Sequence, residues 1–97
     1  MILIVRRLIT IKNIAFRINY RMMVKTKEAS LVKLGLKIKS LRQDLGMSQE
    51  HLALEAGLDR TYVGGIERGE RNVALLNLIK LAKTLHTTPS KLLENIK

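Results

Sequence analysis

The stretch "AGLDRTYVGGIERG", Ala56 to Gly69, decides the fold. Gly57 tolerates a left-handed backbone and so permits a tight turn. Asp59 is a capping type, Val63 and Ile66 stand three apart on one inward face, and Gly69 is a helix stop. A short helix from Asp59 to about Arg68 is predicted, with Arg60, Thr61 and Tyr62 at its start. It has Gly64 and Gly65 in its middle, each giving up about 0.5–1 kcal/mol of helix propensity.

Just before this stretch, Ser48 is placed to cap a second short helix that continues through Gln49 and Glu50 and presents Leu52, Ala53 and Ala56 as a small-sided apolar face. Two short helices meeting across alanines and joined by a glycine turn pack at a steep angle and leave the later one protruding.

Further out, the periodicity is again that of helices. Leu31, Leu34, Ile38, Leu41 and Leu45 form a stripe that Gly46 ends, while Lys33, Lys37, Lys39, Arg42 and Asp44 occupy other faces. Asn72 or a neighbour opens a fourth helix with Leu75, Leu78, Ile79, Ala82 and Leu85 inward and Asn77, Lys80 and Lys83 toward water. Thr88 and Pro89 start a fifth, "PSKLLENIK". The fold class expected is all-α, a compact five-helix domain. A chain of 97 residues with 46% hydrophobic and 3% aromatic content holds one aliphatic core. There is no cysteine, so neither a disulfide nor a thiolate metal site is available, which suits a reducing compartment and makes cytoplasm the default.

Lysine and arginine number 18 against 8 acids, a net charge of +10. A polyanion such as nucleic acid or an anionic membrane is the partner such a charge attracts, although a solvated basic face also exists in many small proteins. Residues 1–22 carry five of the basic residues (Arg6, Arg7, Lys12, Arg17, Arg21) and no acid, which leaves 13 against 8 in the rest of the chain. The basic residues interrupt the apolar run of this extension, so neither a signal peptide nor a membrane-spanning helix is expected. It reads as an amphipathic arm on a membrane or partner, as a pairing strand, or as residues upstream of a true start at Met22 or Met23. The last is favoured. The division expected is a basic extension over 1–22 and a helical domain over 23–97.

The protruding helix suits DNA. Its start carries the positive end of the helix dipole, the major groove admits a helix, arginine bonds both acceptors of guanine, and threonine reaches a base edge or a thymine methyl. Gly64 and Gly65 are expected to leave a helix face without side chains that approaches DNA closely.

"MSQEHLALEAGLDRTYVGGIERGERN", Met47 to Asn72, resembles the helix-turn-helix of the lambda-repressor and Cro-like (XRE) transcriptional regulators. The resemblance is carried by Gln49, Leu52, Ala53, Ala56, Gly57, Leu58, Val63, Ile66, Glu67 and Gly69, and extends from about Leu31 to Leu93. Within that family the chain is most similar to the small controller proteins of restriction-modification systems, which act as dimers on operators upstream of their own genes. The resemblance implies that Ser48 and Gln49 face a phosphate and that Arg60, Thr61 and Tyr62 face bases, with Arg60 the reader of guanine. Arg68 and Asn72 would hold the DNA backbone, and Arg71 would do the same or reach a base. Arg42 and Glu67 match positions that pair across the first and third helices, a structural ion pair. The family's proline and Ser/Thr cap before the fourth helix are replaced by Val73 and Ala74, so Asn72 is expected to cap instead.

Catalysis is not expected. Ser48, His51 and Glu55 share a helix face, but Ser48 serves better as a cap and no oxyanion donors accompany the three. His51 and Glu55 alone make an incomplete metal site, with His86 far along the chain. No metal, cofactor or small-molecule ligand is implied. One short helix reads few base pairs, so a homodimer on a palindromic operator in double-stranded DNA is expected. The surplus apolar residues Leu76, Leu81, Leu92, Leu93 and Ile96 are the candidate interface, with closure of the core the alternative for Leu92 and Ile96. The rival function is an antitoxin or protein-interaction module that uses the same helices against a protein partner.

Overall fold

The computed structural model describes residues 28–96, and the expectations for residues 1–22 lie outside them. Five helices follow one another: α1 Ala29–Asp44, α2 Gln49–Ala56, α3 Arg60–Glu67, α4 Leu75–Thr84 and α5 Pro89–Leu92. Among the described residues no helix is long and apolar enough to cross a membrane.

Helix α1 turns Leu34, Gly35, Ile38 and Arg42 inward, the last two each four residues after an earlier one on the same face. Leu31 and Leu41 flank that stripe half-buried. Leu45 lies beyond the helix end and is exposed instead of inward. Ser48 caps α2 by accepting a hydrogen bond from the His51 amide at 3.0 Å. Gly57 closes α2 in the left-handed region at φ 69, where the Leu58 amide bonds back to the Ala53 carbonyl at 2.8 Å. Asp59 stands at the capping position of α3 but its side chain makes no capping bond. The core gathers Leu34, Ile38, Leu52, Val63, Ile66, Leu81 and Leu92 among its buried members.

Helix α3 is held against α1 by a close approach of the two backbones. A Cβ on Gly35 would stand 2.3 Å from the Ile66 carbonyl oxygen and 2.7 Å from that of Glu67. No side chain fits there, so glycine is what lets α1 cross the end of α3 at backbone contact.

Several expectations are corrected in the second half of the chain. The inward stripe of α4 is Leu78, Leu81 and Ala82, continued by Leu85, while Leu75 and Ile79 are exposed at 66% and 42%. Leucine and isoleucine occupy so many positions of this helix that two phases fit helical spacing, and contact with the rest of the core selects one. Leu81 and Leu92, expected at the dimer surface, are both 0% exposed and belong to the monomer core. Ile96 is half-buried against that core, whereas Leu76 and Leu93 do lie on the surface. Asn72 does not cap α4, whose capping position is Ala74, without a side-chain bond. Helix α5 is a single turn, started as expected by Thr88, which accepts from the Lys91 amide at 3.2 Å, and by Pro89. It stops at Leu92, and the chain then turns through Asn95 at φ 66.

Candidate nucleic-acid interface

The turn between α2 and α3 presents the first two residues of α3, Arg60 and Thr61, to solvent. The opposite side of the helix is packed through Val63 and Ile66 into the core. The next residue in line, Tyr62, is half-buried. Its ring packs against the core and its hydroxyl accepts a hydrogen bond from Asn77 Nδ2 of α4 at 3.1 Å. Tyr62 thus stands at the edge between the exposed start of α3 and the core. Three successive helical residues span some 200° of arc, which places Tyr62 between the exposed start of the helix and its packed side.

The C-terminal end of α3 is fixed by a network of charges. Arg42 Nε donates to Glu67 Oε2 at 2.6 Å and Nη2 to Oε1 at 3.0 Å, and Nη1 reaches the Met47 carbonyl at 2.7 Å. The two side chains are only 10% and 2% exposed, so the expected structural pair is a buried bidentate one. Gln49 Nε2 adds a further bond to Glu67 Oε1 at 2.9 Å. Thus α1, the start of α2 and the end of α3 meet on one carboxylate. Gln49, expected at a phosphate, is first of all a brace between α2 and α3. The Met47 carbonyl carries no side-chain signal, and its part in the network was not legible in the sequence.

Ser48 has its hydroxyl engaged in the α2 cap, and His51 Nε2 lies 2.9 Å from Glu55 Oε1 on the exposed side of the same helix. The three therefore stand as a cap and a surface pair. Beyond α3, Arg68 Nε donates to Glu70 Oε1 at 3.0 Å, with both side chains about half exposed. Arg71 and Asn72 are exposed in the connection to α4.

The glycine pair differs from expectation. Gly64 and Gly65 are buried, and the space that their missing side chains leave is occupied. The Cβ position of Gly64 lies 3.1 Å from Arg68 Nη1 and 3.5 Å from Gln49 Oε1. That of Gly65 lies 2.9 Å from Arg71 Cγ and 3.1 Å from its Nε. The helix face is thus not bare: two arginines from its end and from the following loop lie back across it.

Two short helices at a glycine turn, the second packed on one side and presenting arginine and threonine on the other, define a helix-turn-helix DNA-binding domain of the lambda-repressor and Cro-like kind. The chain belongs to the helix-turn-helix family of transcriptional regulators, whose family model matches residues 38–92. The control protein C.SmaI of Serratia marcescens is 54% identical over 56 residues, which cover 58% of this chain and 67% of that protein. Among solved structures, the restriction-modification controller protein C.AhdI from Aeromonas hydrophila matches with a TM-score of 0.66 at 54% identity, covering 67% of this chain and 98% of that one. The restriction-modification controller protein C.Esp1396I, solved as a tetramer in complex with its natural 35 base-pair operator, matches with a TM-score of 0.65 at 37% identity over 72% of this chain and 92% of that one.

Proposed function

We propose that this protein is the controller of a restriction-modification system, a homodimer that binds a palindromic operator in double-stranded DNA and acts in the cytoplasm by binding, without catalysis. The observation that carries this reading is the pair Arg60 and Thr61, exposed at the start of a helix whose far end is locked by Arg42, Gln49 and Glu67. A helix so held enters the major groove at one angle, and its first residues meet base edges. Arg68 and Asn72 flank it as contacts to the DNA backbone, Arg71 reaches the backbone or a base, and the +10 charge of the chain adds general attraction. The relatives named as controllers, and C.Esp1396I on its operator, support the assignment to this branch of the family.

The dimer surface that fits is the exposed apolar group Leu75, Leu76, Ile79 and Leu93, with Leu81 and Leu92 left to the core. Selection of bound DNA from a random-sequence pool, repeated at two salt concentrations, tests the whole reading. Recovery of a palindrome with half-sites about one helical turn apart supports it. Recovery of no motif, with affinity collapsing as salt rises, overturns it and leaves only nonspecific attraction.

A further inference from the structure

Gly64 and Gly65 weaken a helix of only eight residues, yet each is filled from outside in a different manner. At Gly64 the nearest atom to the absent Cβ is Nη1 at the tip of Arg68, a group that swings aside at little cost. At Gly65 the three nearest atoms are Cγ, Nε and Cδ of Arg71, at 2.9, 3.1 and 3.5 Å. Contact at Cγ is contact near the root of the side chain, where a shift carries the whole guanidinium with it.

We propose that Gly65 is a positioning residue: its bare Cα is the seat on which Arg71 lies, so that a loop arginine is held against the recognition helix and reads DNA as part of it. The inference rests on the DNA-binding reading above. An arginine laid along a backbone before DNA arrives has less rotamer freedom to lose on binding, and its planar fork keeps a fixed relation to Arg60 on the same helix. The mid-helix glycine, which propensity disfavours, then has a reason that the core does not supply.

The test uses the full-length protein, fluorescence anisotropy on the operator recovered by selection, and thermal melting in parallel. Gly65→Ala is expected to weaken operator binding about 5- to 10-fold, the scale of one disturbed arginine contact. Its melting temperature should hold or rise, because alanine is the better helix former. Gly64→Ala, which crowds only the tip of Arg68 and meets Gln49 Oε1 at ordinary contact distance, should cost clearly less. In an Arg71→Ala background Gly65→Ala should cost nothing further, which is the signature of coupling between neighbours.

Equal losses for the two glycine variants that persist in the Arg71→Ala background would overturn the seat and mean that DNA approaches the bare helix. Loss of the fold on Gly65→Ala would overturn it too, since the seat places only Arg71 in the way. Arg60→Ala separates the two levels of inference. If Arg60→Ala weakens binding while Gly65→Ala and Arg71→Ala act additively, the seat alone fails. If none of these variants alters affinity, the DNA reading itself fails.

Discussion

Removing Glu67 tests how the recognition helix is held. In the folded protein its carboxylate accepts two bonds from Arg42 and one from Gln49, and the two charged side chains have almost no access to water. Glu67→Ala strands the Arg42 guanidinium in a site that provides only the Met47 carbonyl, and it takes the partner from the Gln49 amide. An uncompensated buried charge of this kind costs about 3–5 kcal/mol. A domain of this size has a total stability of roughly 3–10 kcal/mol, so the variant should lose a large part of it. The reverse experiment is more informative. Replacing both partners at once, Arg42→Met with Glu67→Leu, removes the charges together and should recover all but about 1–2 kcal/mol, because the desolvation cost disappears with the attraction. Urea unfolding followed by far-ultraviolet circular dichroism measures both, with the midpoint compared at constant slope. A loss below about 1 kcal/mol for Glu67→Ala, or a double variant no more stable than the single one, would refute the reasoning. In the recovered double variant Gln49 has no carboxylate to brace against, so operator binding should remain weaker than in the unaltered protein.

Gly35→Ala should destabilise by about 2 kcal/mol or more, the scale of overpacking against a backbone, where an ordinary helical glycine would gain from alanine; urea midpoints decide the sign. Arg60→Ala should cost about 1–3 kcal/mol of operator affinity and relax the preference at a single base pair, read by binding to a set of operators changed one pair at a time. Arg68→Ala should weaken binding to all sequences and lower the slope of log affinity against log salt by about one. Leu76→Asp should leave folding intact and shift the protein to a monomer in sedimentation, and an unchanged dimer would move the interface away from α4.

The first half of the domain was legible because its signals are local. Ser48 caps, Gly57 turns, and the alanines of α2 mark a close crossing, all within ten residues. The phase of α4 was not legible, since Leu75, Leu76, Leu78, Ile79 and Leu81 give a hydrophobic residue to nearly every face, and the position of α2 and α5 decides which of them goes inward. The fifth helix was overread for a related reason: a capping threonine and a proline announce a start but do not say how far a helix runs, and here one turn suffices to bring Leu92 to the core. In the site, Arg60 and Thr61 follow from being first in α3, whereas the bond between Tyr62 and Asn77 joins two helices and carries no local signal. The Arg42–Glu67 pair spans 25 residues and came from family resemblance, not from spacing. The glycines were visible as missing side chains, but what fills the gap at Gly65 returns from a loop six residues on, beyond any helical pattern.

The residues that hold α3 and those that its start offers to solvent are different sets. Gly35, Arg42, Ile66 and Glu67 are buried and answer for the fold, while Arg60 and Thr61 touch nothing in the core. Exposed positions away from caps and cores tolerate substitution within about 0.5 kcal/mol. Preference for a base pair is therefore free to drift without passing through an unstable intermediate. On the proposed base-reading role of Arg60 and Thr61, a duplicated copy of such a gene needs only one or two changes at the exposed start of α3 to answer to a different stretch of DNA, while the scaffold that presents them is inherited unchanged.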